Sequence, residues 1–155
     1  MKDYVFWMNR ILQRAKNLNT NEIPIYAIVL DKEGKCIGRG SNQRERWKDP
    51  LGHAEIIAIR QASWIIGDWR LNECSLIVNL EPCTMCAASI IQSRIGTTIY
   101  GAHDKKRGGL GGTIDLSRHE SCHHKMKVFK GVLEDKASKE IESWFKKMRD
   151  CKLKI

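Results

Sequence analysis

Cys83 and Cys86 stand three residues apart in NLEPCTMCAASII (residues 79–91), directly behind Pro82. Two thiols at that spacing serve three chemistries: a dithiol–disulfide couple, half of a structural zinc site, or part of a catalytic metal centre. A redox pair normally follows the first strand of its domain and needs no distant histidine. A structural site needs two more Cys or His at short spacing, and the compact candidates are His53 and the group His119, Cys122, His123 and His124. His53 opens the triplet HAE, which sets Glu55 two residues further on. One imidazole and two thiolates supply three protein ligands and cancel the charge of a zinc ion, leaving a fourth position for water. Glu55 then stands where it can carry protons without being a ligand. His119, His123 and His124 read as surface or loop residues.

Those groups lie at the starts of two predicted helices. HAEIIAIRQASWII (53–66) has helical apolar spacing at Ile56, Ile57, Ile59 and Ala62. Pro82 suits the first position of a second helix running to about Arg94, with both cysteines in its first turn. There the i, i+3 spacing puts both sulfurs on one face, and the helix dipole favours thiolates. Upstream, residues 3–17 align Tyr4, Trp7, Met8, Ile11, Leu12 and Ala15 on one stripe of an amphipathic helix. IPIYAIVLD (23–31) is β-branched and almost continuously apolar, as an interior strand is, and DKEGK (31–35) turns it into a hairpin partner, CIGRGSN (36–42). QRERWKDPLG (43–52) reads as a loop. CSLIVNL (74–80), TTIYGA (97–102) and MKVFKGV (126–132) read as strands, and residues 135–153 as a closing basic helix. Between the last two strands lies a Gly-rich basic excursion, KKRGGLGGTIDLSRHESCHHK (105–125). Strands alternating with helices, without repeat or linker, predict a single α/β domain over residues 1–155 with helices on both sheet faces.

Composition narrows the setting. A chain of 155 residues can build a core without disulfide staples, and its 42% hydrophobic and 29% charged residues are those of a globular protein. No apolar run reaches the roughly 18–20 residues of a membrane span. MKDYVFWMNRILQRAK carries Asp3, Asn9, Arg10 and Arg14 and no cleavage signature, so a cytoplasmic location is expected. Cys36, Cys74, Cys122 and Cys151 are irregularly spaced and read as reduced thiols. A net charge of +9 and a pI near 9.4 fit a partner that is a polyanion.

His-x-Glu followed by Pro-Cys-x-x-Cys is the pattern of zinc-dependent nucleobase deaminases. With HAEIIAIRQA, LEPCTMCAASIIQSRIG and YGAHDKK, the chain resembles bacterial-type tRNA-specific adenosine deaminases from EIPIYAIV to WFKKMR. That resemblance implies a three-layer α/β/α cytidine-deaminase-like fold with a five-stranded mixed sheet, and a homodimer. It implies one Zn²⁺ per subunit on His53, Cys83 and Cys86, and Glu55 as catalytic proton shuttle. The implied substrate is the tRNA anticodon stem-loop, whose wobble adenosine (position 34) becomes inosine. Asn42 resembles the residue that reads the flipped-out base, Asp104 and Lys106 match the Gly-Ala-x-Asp-x-Lys loop beside it, and Phe145 and Arg149 match positions touching flanking nucleotides. Tyr26, Gly52, Asn79 and His103 depart from the family pattern, and the departures bear on pocket shape.

The basic residues have a place in this reading. Arg39, Arg44, Arg46 and Lys48 surround Asn42, Lys105, Lys106 and Arg107 follow Asp104, and Lys146, Lys147, Arg149, Lys152 and Lys154 crowd the C-terminus. On one face they would bind phosphates. Two rivals remain: a deaminase of a free base such as guanine or cytosine, and a non-catalytic zinc-stabilised RNA-binding module in which Glu55 is idle.

Overall fold

Five short strands form one mixed sheet in the computed structural model, which describes residues 3–18 and 21–152. β1 (Tyr26–Leu30), β2 (Cys36–Ser41), β3 (Ser75–Leu80), β4 (Thr97–Ala102) and β5 (Lys127–Phe129) lie in the order β2-β1-β3-β4-β5. β1 pairs antiparallel with β2 and β3, while β4 pairs parallel with β3 and β5. Both faces are covered, so the central strands are apolar at successive positions rather than at alternate ones. Ala27, Val29, Leu76, Val78 and Tyr100 point into one core, and Ile28, Leu30, Ile77 and Ile99 into the other.

The second core is closed by α1 (Tyr4–Lys16) and α5 (Glu134–Lys152), through Met8, Ile11 and Leu12 of the former and Ala137 and Ile141 of the latter. Asp3 caps α1 by accepting the Phe6 N–H at 2.9 Å. Burying Met8, Ile11 and Leu12 is worth roughly 1.5–3 kcal/mol each, more than any propensity difference along α1, so packing decides its seat. The first core is closed by α3 (Ala54–Ile66) and α4 (Thr84–Gln92). α3 lies on β2 at backbone distance, because Gly38 and Gly40 face it: a methyl group on either would overlap the carbonyl oxygen of Ala58 or Ala54. The three-layer α/β/α arrangement and five-stranded mixed sheet match the expectation.

Local boundaries differ. Within 43–52, expected as a loop, Arg44–Trp47 form a one-turn helix, α2. It exists because the buried Glu22 accepts the N–H groups of Glu45 and Arg46 at 2.8 and 3.0 Å, and Lys48 ends it at φ 53°. α4 starts at Thr84, not Pro82, since Cys83 keeps extended backbone (φ −65°, ψ 171°). Of the expected closing helix and its cations, Leu153 and Lys154 lie outside the described residues.

Candidate metal and substrate site

His53 and Cys83 hold equivalent places. Each is the extended residue immediately before a helix, α3 and α4 respectively, and neither side chain caps its own helix. Both turn toward a common point instead. His53 Nδ1 lies 3.7 Å from Cys83 Sγ and 3.4 Å from Cys86 Sγ, and the three donor atoms all fall within 4.8 Å of one another. A tetrahedral zinc with bonds of about 2.0–2.1 Å to nitrogen and 2.3 Å to sulfur sets N···S edges of about 3.6 Å. The donor set therefore fits the ion. All six cysteines are free thiols, so the pair is not a disulfide. Among the described residues no other group of three His, Cys, Asp or Glu converges this way, and His119, Cys122, His123 and His124 stay apart on the 103–126 loop.

The two thiols shift one another in opposite directions. Cys83 is pulled down to about 4, chiefly by the Cys86 thiol bonded to it and then by His53. Cys86 is correspondingly pushed up by Cys83 and by burial. His53 is raised by its bond to Cys83, and a cation bound at this point would require deprotonated thiols and a neutral imidazole. Glu55, in the first turn of α3, is raised to about 7, mainly by burial, with His53 working in the opposite direction.

A cavity of about 800 Å³ opens over these groups. His53, Glu55, Cys83 and Asn42 line its inner part, while Cys86 is fully buried behind it. Asn42 is buried at the end of β2 and accepts the Ala54 N–H at 3.3 Å, satisfying a free donor of α3 that His53 leaves unmet. Asp104 and Lys106, on the loop after β4, and Phe145 and Arg149, on α5, line its more exposed part. Asp104 Oδ1 accepts the N–H groups of Lys106 and Arg107 at 2.9 and 3.0 Å, folding the loop after β4 into a turn. Phe145 remains 42% exposed, so the core does not explain it.

The cations do not share one face. Arg44, Lys105, Lys106, Arg107 and Arg149 line the cavity, but Lys147 lines a groove on the other flank of α5 with Lys16 and Lys139. Arg39 borders a separate depression beside β2. Helical geometry forces the split, since neighbouring positions on α5 point in different directions.

Two family departures touch each other: Asn79 accepts the Tyr26 N–H at 2.9 Å and donates to the Pro24 carbonyl at 2.8 Å, fixing the entry to β1. His103 lines the cavity, its Nδ1 3.2 Å from the Tyr100 hydroxyl. Sequence reasoning missed Glu81, a buried carboxylate two residues before Cys83 that accepts backbone N–H groups of the 104–112 loop. Its hydrogen-bond donors are main-chain N–H groups, which leave no side-chain signature, and His103 Nδ1 lies 3.4 Å from Oε2.

Comparisons with known proteins agree with this geometry. The family model of the cytidine and deoxycytidylate deaminase zinc-binding region matches residues 1–102. The tRNA-specific adenosine deaminase of Streptococcus pyogenes serotype M1 is 35% identical over 153 residues, 98% of this chain and 89% of its own. That of Haemophilus influenzae is 39% identical over 131 residues, 84% of this chain and 76% of its own. A structure from work on A-to-I editing by tRNA:A34 deaminases aligns with a TM-score of 0.82 at 35% identity, covering 87% of this chain and 98% of that one. The guanine deaminase of Nitrosomonas europaea, at 22% identity and a TM-score of 0.73 over 88% of this chain and 81% of its own, shares the fold. No helix among the described residues is long and apolar enough to cross a membrane. By sequence over nearly its whole length and by fold, the chain belongs to the tRNA-specific adenosine deaminases of the cytidine and deoxycytidylate deaminase family.

Proposed function

We propose that residues 1–155 act as one cytoplasmic deaminase domain that hydrolyses the wobble adenosine (position 34) of a tRNA anticodon to inosine, releasing ammonia. One observation carries the reading: a buried carboxylate, Glu55, faces the same cavity as a convergent His53–Cys83–Cys86 donor set.

His53, Cys83 and Cys86 would hold one Zn²⁺ per subunit. Bound there, zinc supplies a water acidified to a pKa near 7. Glu55 takes the proton of the water that adds to C6 of adenine and hands it to N1. It then carries the second proton to the departing amine, so that water and adenosine leave as ammonia and inosine. A group titrating near 7 both accepts and donates at neutral pH, and burial is what puts Glu55 there. Asn42 presents its amide to the base, held by the Ala54 N–H. The exposed ring of Phe145 offers a stacking face for a flanking base, Lys106 and Arg149 meet the backbone around it, and Asp104 shapes the loop beside the substrate. An anticodon loop, whose bases are already splayed, costs least to open.

The exposed apolar side chains at the end of α3 and just beyond it, Trp64 at 85% and Ile65, Ile66 and Trp69 beside it, support a homodimer through that end. The deciding assay incubates the zinc-loaded protein with an adenosine-34 anticodon hairpin and sequences for inosine. Ammonia from guanine or cytosine with the hairpin untouched would overturn the substrate. RNA binding without any turnover, unchanged in Glu55→Ala, would leave a binding module.

A further inference from the structure

Two glycines of KKRGGLGG, Gly108 and Gly112, have no role in the chemistry above, yet the chain brings both against one buried side chain. Glu81 is 2% exposed, and its two carboxylate oxygens accept three main-chain N–H groups between them. Oε1 accepts the N–H groups of Leu110 and Gly112 at 3.1 and 2.8 Å. Oε2 accepts the Asp104 N–H at 3.0 Å and lies 3.4 Å from His103 Nδ1. A carboxylate accepts on both oxygens, and here both are taken by main-chain N–H groups of the 103–112 loop. The loop can come this close because Gly108 and Gly112 present no side chain; a methyl on either would overlap the carboxylate or the Asp104 carbonyl. Glu81 is itself pinned at the end of β3 by its N–H to the Ala102 carbonyl at 2.8 Å.

We propose that Glu81 is the positioning residue of the substrate loop: it clamps residues 103–112 so that Asp104 and Lys106 are held at the cavity mouth before RNA arrives. The functional half of this rests on the deaminase reading; the clamp does not. No other residue type fits. Glutamine keeps the shape but offers acceptors on one oxygen only, and its amide group would oppose the Asp104 N–H. Aspartate keeps the charge but is one methylene too short to reach both strands of the loop.

The test separates the two halves. Hydrogen exchange on the zinc-loaded Glu81→Gln variant should show the amides of Asp104, Leu110 and Gly112 losing at least tenfold protection, with β3 and α4 unchanged. Retained protection in the loop would overturn the clamp whatever the substrate is. With the adenosine-34 hairpin, Glu81→Gln should raise KM about tenfold with kcat within about threefold and zinc still at one per chain. In an Asp104→Ala, Lys106→Ala background the same substitution should cost less than twofold, because its targets are gone. A kcat loss at constant KM, loss of zinc, or a full cost in that background would show that Glu81 merely supports the metal centre. If the wild-type protein leaves the hairpin untouched, the deaminase reading fails and the exchange data still decide the clamp.

Discussion

The floor and the rim of the cavity are held by different means. The floor rests on two helix starts seated in the core: Ala54, Glu55 and Cys86 are buried, and the donor atoms lie tenths of an ångström from tetrahedral spacing. The rim consists of an exposed loop and the outer side of α5, whose side chains reach into solvent. Chemistry that moves protons needs fixed distances, whereas a stacking and phosphate surface works with side chains that adjust. Substitutions should therefore separate cleanly, with the floor governing metal and turnover and the rim governing KM.

The largest effect belongs to Cys86→Ala, which should abolish zinc retention and bring hairpin turnover below detection, read by metal analysis and inosine sequencing. Turnover surviving without metal would destroy the distinction. Glu55→Gln should keep zinc while lowering kcat by about 10²–10⁴-fold. A mere KM change would move Glu55 to the rim.

Glu55 also makes a stability prediction for metal-stripped protein. Its folded pKa, about 7, lies above the ordinary 4.5, so between those values the folded state binds more protons than the unfolded one. Stability then falls as pH rises through that window. Wild type should lose up to about 3 kcal/mol relative to Glu55→Gln between pH 4.5 and 7.5, measured by denaturant melts. Parallel pH profiles for the two proteins would contradict the burial argument.

At the rim, Phe145→Ala should cost about 1–3 kcal/mol in kcat/KM, mostly through KM, with Phe145→Trp close to wild type. Smallest is Arg149→Ala, a few-fold in KM with the slope of log K against log salt reduced by about one. Zinc lost from either variant would mean that rim and floor are one structure.

The same division explains what could be read from sequence. Strands and the core-facing stripe of α1 were legible because their apolar spacing records burial directly, and the meeting of His53, Cys83 and Cys86 because metal chemistry restricts residue type. The start of α4 was misjudged by two residues, since Pro82 fits a first turn equally well and only tertiary structure draws Cys83 into an extended conformation. α2 was missed because its cap, Glu22, lies far upstream and bonds main-chain groups. The same blindness hid Glu81. The dispersal of Lys147 and Arg39 away from the cavity was not visible because a charge count has no direction.

Gly38 and Gly40 give the edge strand a further consequence. At positions 38 and 40 no side chain of β2 stands between the strand and α3, so there the two backbones behave as a gauge block and the workpiece set on it. A methyl at position 40 would overlap the Ala54 carbonyl and crowd Ile57, in the first turn that follows His53. The tolerance of the candidate metal site is thus set partly by a strand that offers none of its three donors, and anyone retuning this scaffold for another ion would begin by leaving those two positions alone.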